Sequence, residues 1–209
     1  MTTYYVTKAG NDTTGDGSVG TPWLTLGKAF TVMAAADTLN VGDGTYAEAI
    51  TSMTNGSAVA GYTTVQAINE GAVILTGGFS FATTATYRQV IGLRFQNNAQ
   101  KQILGTRHKF FRCEFRGAVA DDAGATVAIG SNDATPGATF VLLEDCWVHG
   151  FGGRYKILVY NSEDVVLRRC VTRYDGHTQV IGEPEANITF YDSQRVIAQN
   201  CIAIDPTTP

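Results

Sequence analysis

The chain has 209 residues, of which 16% are charged and 44% hydrophobic, and its 15 lysines and arginines against 19 aspartates and glutamates give a formal net charge of −4. This composition excludes an intrinsically disordered chain, which combines low hydrophobicity with high net charge. It also lacks the basic excess of a nucleic-acid-binding surface, and no apolar run approaches the roughly 18 residues of a membrane span. We therefore expect one folded domain, or a segment of a longer one, with neither nucleic acid nor membrane as a partner.

The N-terminal residues predict a cap. No basic stretch followed by an apolar stretch marks a secretory signal, so we expect either that a signal peptide was removed or that the protein uses none. Residues 21–36 carry apolar side chains at helical spacing, begin with Thr21-Pro22 and stop before Asp37. We expect a short amphipathic helix here that covers the open end of the strands that follow.

Short β-like segments repeat through the rest of the chain. Residues 160–171 and 191–202 match at an offset of 31 residues, from Cys170 to Cys201, and residues 90–95, 110–115 and 140–148 repeat the second half of the pattern. A unit of about 20–24 residues with insertions of unequal length indicates a solenoid. Helical periodicity is absent and β-branched residues are abundant, which predicts an all-β, right-handed parallel β-helix.

The alternation of side chains in a strand assigns their directions. One column is expected to point inward, and a second inward column follows two residues later in each coil. The first column is Leu93, Cys113, Cys146, Cys170 and Cys201, and the second is Phe95, Phe115, Val148, Thr172 and Ala203. Stacked coils lie about 4.8 Å apart, so a disulfide is geometrically conceivable, but we favour buried, reduced thiols. The sequence contains no CxxC pair, so it does not indicate a metal site built from thiolates.

Two corner pairs and one tryptophan have structural interpretations. Glu144 and Asp145 are expected to stack against Arg168 and Arg169 of the next coil, which contributes about 0.2–1 kcal/mol per exposed pair. Trp147 follows an inward cysteine and is therefore expected to face outward. It either packs beneath a loop or partner chain or stacks against a sugar ring.

The first 50 residues resemble the N-terminal cap of the pectate-lyase-like β-helix superfamily. The segments that carry this resemblance are Tyr4-Tyr5-Val6, Gly10-Asn11-Asp12, Thr21-Pro22-Trp23, Lys28-Ala29 and residues 37–46, DTLNVGDGTY. The resemblance implies an N-terminal strand and capping helix at residues 1–36, followed by coils at residues 37–209. The superfamily includes polysaccharide lyases, glycoside hydrolases, epimerases, phage tailspikes and surface adhesins, so the resemblance favours carbohydrate without fixing a reaction.

A lyase of this superfamily that acts on uronic acids needs a neutralised substrate carboxylate and a base. The residues between the strands supply candidates of both kinds, although solvated loop charges would give the same pattern. We predict catalytic roles for Lys156, Arg173, His149 and His177, substrate binding by Arg154, Tyr155, Tyr174 and Trp147, and Ca²⁺ ligation by Asp175, Glu183 and Glu185. Residues 161–164 only faintly echo the clustered aspartates of Ca²⁺-dependent lyases, and no paired-aspartate motif of hydrolases is visible.

We expect these residues to form a patch beside three consecutive strands at residues 127–129, 157–159 and 188–190. The segments 149–156 and 173–187 are expected to border this patch as loops. Arg154 and Arg173 are the cations that would lower the pKa of a lysine base at position 156.

Two functions remain open from the sequence. The first is a carbohydrate-interacting β-helix, with lyase-like action on an anionic polysaccharide. The second is a non-catalytic module of a phage tail or cell-surface protein, favoured by reduced cysteines and the missing signal peptide. Either would place the protein outside the cell or in a virion. Because the chain stops at Pro209 without a second cap, we also expect further coils or a homo-oligomeric partner to cover that end.

Overall fold

The computed structural model describes residues 1–119, 124–133, 136–152, 154–175 and 186–204. One helix and twenty strands form within these residues. In chain order they are β1 (Thr3–Val6), α1 (Leu26–Val32), β2 (Thr38–Val41), β3 (Gly44–Tyr46), β4 (Thr63–Ala67), β5 (Val73–Leu75), β6 (Ser80–Phe81), β7 (Thr86–Ile91), β8 (Leu93–Phe95), β9 (Lys101–Ile103), β10 (Gly105–Phe111), β11 (Glu114–Val119), β12 (Ala125–Gly130), β13 (Ala138–Glu144), β14 (Trp147–Gly152), β15 (Tyr155–Tyr160), β16 (Glu163–Arg168), β17 (Val171–Tyr174), β18 (Ala186–Tyr191), β19 (Ile197–Gln199) and β20 (Ile202–Ile204).

The strands form three parallel sheets that wind around one core. Sheet 1 has the order β1-β2-β4-β7-β10-β13-β16-β19, sheet 2 the order β20-β17-β14-β11-β8-β5-β3, and sheet 3 the order β18-β15-β12-β9-β6. The chain passes from sheet 1 to sheet 2 to sheet 3 and back in each complete coil, so each strand pairs with the equivalent strand one coil away. This topology is a parallel β-helix, as the repeats predict.

The predicted inward columns are confirmed except at Ala203 in the last coil, which is exposed. Leu93, Cys113, Cys146 and Cys170 are each at most 2% exposed, and Cys201 in the last coil is partly exposed. In the second column, the rings of Phe95 and Phe115 stack at 5.0 Å. All four cysteines are free thiols, and each donates to a carbonyl oxygen of a neighbouring coil, for example Cys170 Sγ to Leu143 O at 3.4 Å. The thiols therefore fill the core and tie adjacent coils together.

A sharp corner links sheet 1 to sheet 2 in each of the later coils. The residue just before the inward Leu or Cys has a positive φ in five successive coils, at Gly92, Arg112, Asp145, Arg169 and Asn200. This left-handed conformation turns the chain within about two residues. The predicted ion-pair ladder lies on these corners: Arg168 Nη1 is 3.3 Å from Glu144 Oε2, and Arg169 Nε is 2.7 Å from Asp145 Oδ1.

The capping helix is shorter than the sequence predicts. Helix α1 begins at Leu26, because Thr25 is its N-cap and accepts a hydrogen bond from the Lys28 amide at 3.1 Å. The predicted Thr21-Pro22 start is wrong, since Trp23 instead forms a parallel bridge with Val6 of β1. The helix buries Leu26, Ala29 and Phe30 in the common core. No described helix is long and apolar enough to cross a membrane.

The last described coil is the most exposed part of the fold. Ile197 and Ile202 are each 55% exposed, and all residues of β19 and β20 are exposed. The prediction that further coils or a partner subunit cover these strands stays a prediction.

Candidate functional site

The outer face of sheet 2 carries a group of charged side chains together with one glutamine and one tryptophan. They alternate along the strands with the buried residues of the second inward column, and the strand register places them in neighbouring coils. We call this group the sheet 2 cluster. It consists of Arg94, Gln96, Glu114, Arg116, Trp147, His149, Arg173 and Asp175.

His149 on β14 lies at the centre of the cluster, with 9% of its side chain exposed. Its Nδ1 is 2.8 Å from Asp175 Oδ2, and its Nε2 is 3.2 Å from Glu114 Oε1. An ionised carboxylate can only accept hydrogen bonds, and only the imidazolium form donates from both ring nitrogens. The two contacts therefore favour a protonated ring that is held between two carboxylates.

Both carboxylates are stabilised in the ionised form. Burial raises the pKa of Glu114, but hydrogen bonds from His149 and Arg94 outweigh burial and lower that pKa to about 2. Arg94 Nε donates to Glu114 Oε2 at 2.6 Å. Burial likewise opposes ionisation of Asp175, and hydrogen bonds from His149 and Arg173 lower its pKa overall. The carboxylates thus stay negative at neutral pH on both sides of the imidazole.

Trp147 covers one face of this histidine and confirms the prediction that it faces outward. The Trp147 and His149 rings stack with centroids 3.9 Å apart and an interplanar angle of 14°, and Trp147 is 38% exposed. The Arg173 guanidinium carbon lies 5.5 Å from the Trp147 ring centroid, while its Nη2 is 2.5 Å from Asp175 Oδ1. An aromatic surface and a cation therefore lie side by side at the protein surface.

Arg116 supplies a cation that forms no ion pair with any other described residue. It lies on β11 directly beside His149 in the strand register, and it is exposed. Within the part of the chain that the structure describes, its guanidinium has no ion-pair partner, whereas Arg94 and Arg173 are both paired with carboxylates. An exposed, unpaired guanidinium can bind a ligand carboxylate through two parallel hydrogen bonds.

Sequence reasoning missed four members of the cluster: Arg94, Gln96, Glu114 and Arg116. Arg94 and Glu114 each directly follow a residue of the inward Leu/Cys column, so the strand alternation that placed Trp147 outward also places both of them there. Arg116 follows two residues later on the same face. It was missed because β11 continues to Val119, beyond the short apolar segment that the sequence pattern shows.

Two of the predicted site residues lie inside the protein. Lys156 was expected in a surface loop, but it belongs to β15 and is 0% exposed, with its Nζ 2.9 Å from the Gly150 carbonyl oxygen and 4.0 Å from the Tyr174 ring centroid. Tyr174 was expected to contact substrate, but it is 3% exposed and donates its hydroxyl to the Arg154 carbonyl oxygen at 2.6 Å. Both placements are wrong because β14, β15 and β17 extend further than the sequence pattern indicates.

The remaining predicted residues lie apart from the cluster or outside the described residues. Arg154 precedes β15, and its guanidinium carbon is 5.1 Å from the Tyr155 ring centroid. His177, Glu183 and Glu185 lie outside the described residues, so their predicted roles stay predictions.

The predicted patch beside sheet 3 has the expected strands but not the expected charges. Register pairs Val127 with Ile157 and Ile157 with Ile188, so the three predicted strands are neighbours. The outward residues that alternate with this buried column carry no charge in the four described coils: Gln102, Ala128, Leu158 and Thr189. The charged residues of segments 149–156 and 173–175 that contact one another lie on sheet 2 instead.

No group of three or more metal-ligating residues that could hold a metal ion occurs among the described residues. Asp175, one of the predicted Ca²⁺ ligands, directs Oδ2 at His149 and Oδ1 at Arg173. A carboxylate that accepts hydrogen bonds from two cationic groups does not fit a Ca²⁺ ligand in this arrangement. Ca²⁺ binding through Glu183 and Glu185 stays a prediction.

Comparison of the fold with known proteins identifies similar solved structures. No family model and no curated protein matches the sequence. A rhamnogalacturonan lyase superimposes with a TM-score of 0.56 at 15% identity, over 93% of this chain and 62% of its own. The pectate lyase Pel9A superimposes with a TM-score of 0.54 at 14% identity, over 90% of this chain and 57% of its own. The chain therefore spans about three fifths of the length of these two structures.

These similarities confirm the fold prediction. The chain forms a right-handed parallel β-helix, the fold that its repeats predict. At this level of identity the comparison shows the fold alone.

Proposed function

We propose that this protein is a carbohydrate-active β-helix that binds an anionic, uronic-acid polysaccharide along the outer face of sheet 2 and cleaves it by β-elimination. The observation that carries the proposal is the exposed, unpaired Arg116 next to His149, in the same column as Arg173. Arg116 and Arg173 lie two coils apart, about 10 Å along the axis, so a rod-like polymer laid across the coils can reach both.

The geometry supports recognition of both parts of a uronate residue. Arg116 is free to pair with the carboxylate, and the exposed edge of Trp147 offers an apolar surface to the sugar ring. Fixed carboxylates on Glu114 and Asp175 are already neutralised by Arg94, Arg173 and His149, so they do not repel the polymer.

The same geometry supports an elimination. Neutralisation of the substrate carboxylate makes the C5 proton more acidic. Asp175 would take that proton as the C4–C5 double bond forms and the C4–O bond breaks, while His149, held between Glu114 and Asp175, would give its own proton to the leaving glycosidic oxygen. Transfer of the proton from Asp175 to His149 across their 2.8 Å contact would then restore both groups. The similarity in fold to two polysaccharide lyases agrees with this reaction class.

The experiment compares binding and cleavage of a galacturonate homopolymer by four forms of the protein. Binding is measured by calorimetry and cleavage by the ultraviolet absorbance of the unsaturated product. We expect Arg116→Gln to weaken binding about tenfold and His149→Gln to lower the cleavage rate about a hundredfold with little effect on binding.

Arg112→Gln is the matched control, because it removes an exposed arginine of the same coil whose Nε is paired with Glu70 at 2.7 Å. Equal losses in Arg116→Gln and Arg112→Gln would mean general charge attraction and would contradict the proposal. Binding without any unsaturated product would contradict the elimination. A chelator-treated sample tests the separate prediction of Ca²⁺ dependence.

A further inference from the structure

A second surface outside the sheet 2 cluster combines aromatic rings and cations. It lies where the strands of sheet 1 begin, at the edge of sheet 1 that is opposite the corner with sheet 2. The strand register aligns one residue each from β7, β10 and β13 in a single column. The residue just before β4, in the preceding coil, extends this column. We call it the aromatic column. It consists of Tyr62, Tyr87, Arg107 and Phe140.

Contacts run continuously along this column. The rings of Tyr62 and Tyr87 meet edge to face at 5.5 Å. The Arg107 guanidinium carbon lies 5.5 Å from the Tyr87 ring centroid and 4.3 Å from that of Phe140. Lys109, one column further along the strands, places its Nζ 4.2 Å from the Tyr62 ring centroid. Phe140 is 47% exposed, so the column ends in an open aromatic ring.

The two cations of this surface have no carboxylate partner among the described residues. Within the described ranges, neither Arg107 nor Lys109 forms an ion pair. The next residue along the column, Asp164, is already engaged, since Arg195 Nε is 2.6 Å from its Oδ1. Cations that contact only aromatic rings keep their hydrogen-bond donors for another molecule.

We propose that the aromatic column is a second binding surface for an anionic polysaccharide, separate from the sheet 2 cluster. Apolar faces of sugar rings would stack on Phe140 and the tyrosines, while Arg107 and Lys109 would meet carboxylates. The column spans four coils parallel to the axis, which matches an extended polymer rather than a single small ligand. Only the identity of the polymer rests on the proposed function; the surface itself does not.

The test measures binding of the galacturonate homopolymer to the full chain and to variants of the column. We expect Phe140→Ala and Arg107→Gln each to weaken polymer binding about tenfold. Turnover of a short galacturonate oligomer should remain unchanged, because the oligomer is held at sheet 2. Ile197→Ala is the matched control, since it removes an exposed apolar side chain of the same sheet, and we expect it to bind like the parent.

The outcomes separate the two proposals. Parent-like polymer binding by both Phe140→Ala and Arg107→Gln would overturn the second surface. Equal binding of a neutral polysaccharide would overturn the anionic assignment, and tighter binding of a single-stranded polynucleotide would reassign the surface to nucleic acid. Weakened binding in the column variants together with parent-like binding by Arg116→Gln would support the column and contradict the sheet 2 site.

Discussion

Acid should destabilise this protein through His108, an interior histidine of β10. His108 lies on the inward face of β10 and is 0% exposed. Its Nε2 is 3.0 Å from the Leu104 carbonyl oxygen, which suits a neutral ring that donates there. Its Nδ1 has no hydrogen-bond partner in the described structure. The ring packs 4.9 Å from Phe81, and its neighbour in the register is the buried Arg88.

The magnitude follows from these surroundings. Burial first, and the Arg88 charge second, lower the pKa of His108 to about 4 in the folded protein, against about 6.5 in the unfolded chain. The unfolded chain therefore binds the proton more readily. The stability tied to the neutral ring is fully present above pH about 6.5 and is lost as pH falls towards about 4. The difference corresponds to about 3 kcal/mol of unfolding free energy.

Denaturant unfolding of the parent and His108→Phe between pH 7 and 4 measures this loss. We expect the variant to be about 1 kcal/mol less stable at neutral pH, because the Leu104 carbonyl loses its donor, but to lose about 3 kcal/mol less on acidification. Carboxylates such as Glu114, whose pKa lies near 2, titrate mainly below this window. A His149→Gln control still contains His108 and should keep the loss. Parallel pH profiles for the parent and His108→Phe would refute the reasoning.

Three further substitutions test the packing. Gly150→Ala should abolish the native fold or lower its melting temperature by at least 10 °C, because a Cβ there would collide with the Gly117 carbonyl and φ is +117°. Lys101→Met should cost about 2–3 kcal/mol in denaturant unfolding, since three carbonyl oxygens at 2.6–2.9 Å lose their buried donor. Arg88→Met should instead raise stability by about 1–2 kcal/mol, because burial lowers the pKa of this unpaired cation to about 10. Unchanged stability in Lys101→Met, or a loss in Arg88→Met, would contradict these assignments.

The repeating part of the fold could be predicted from the sequence because equivalent residues of successive repeats are the ones that pair in neighbouring strands. Aligning Cys113, Cys146 and Cys170 is enough to place β11, β14 and β17 of sheet 2, to direct Trp147 outward and to pair Asp145 with Arg169. The helix start was missed because a local rule, proline in the first turn, competed with a long-range bridge between Val6 and Trp23.

The candidate site was predicted only in part. Arg173, His149, Trp147 and Asp175 were named from their residue types, and the structure does bring them together. Lys156 was named for the same reason and is buried, because where a strand ends and a loop begins depends on contacts with other coils. A polar side chain near a strand end can face the core or the solvent, and its direction is set by the packing between coils at the corner where the strand ends.

Binding of an anionic polysaccharide against Trp147 on sheet 2 can be measured directly. The chain has two tryptophans, and the other one, Trp23, is 3% exposed in the N-terminal cap. A fluorescence titration with the galacturonate homopolymer, excited selectively at tryptophan so that the nine tyrosines do not contribute, therefore reports on this face. It is run on the parent, Trp147→Phe and Arg116→Gln. We expect a saturable change in the parent, none in Trp147→Phe, and a midpoint about tenfold higher in Arg116→Gln. A parent signal that stays constant while calorimetry shows saturated binding, or an equal change in Trp147→Phe, would contradict binding at this face.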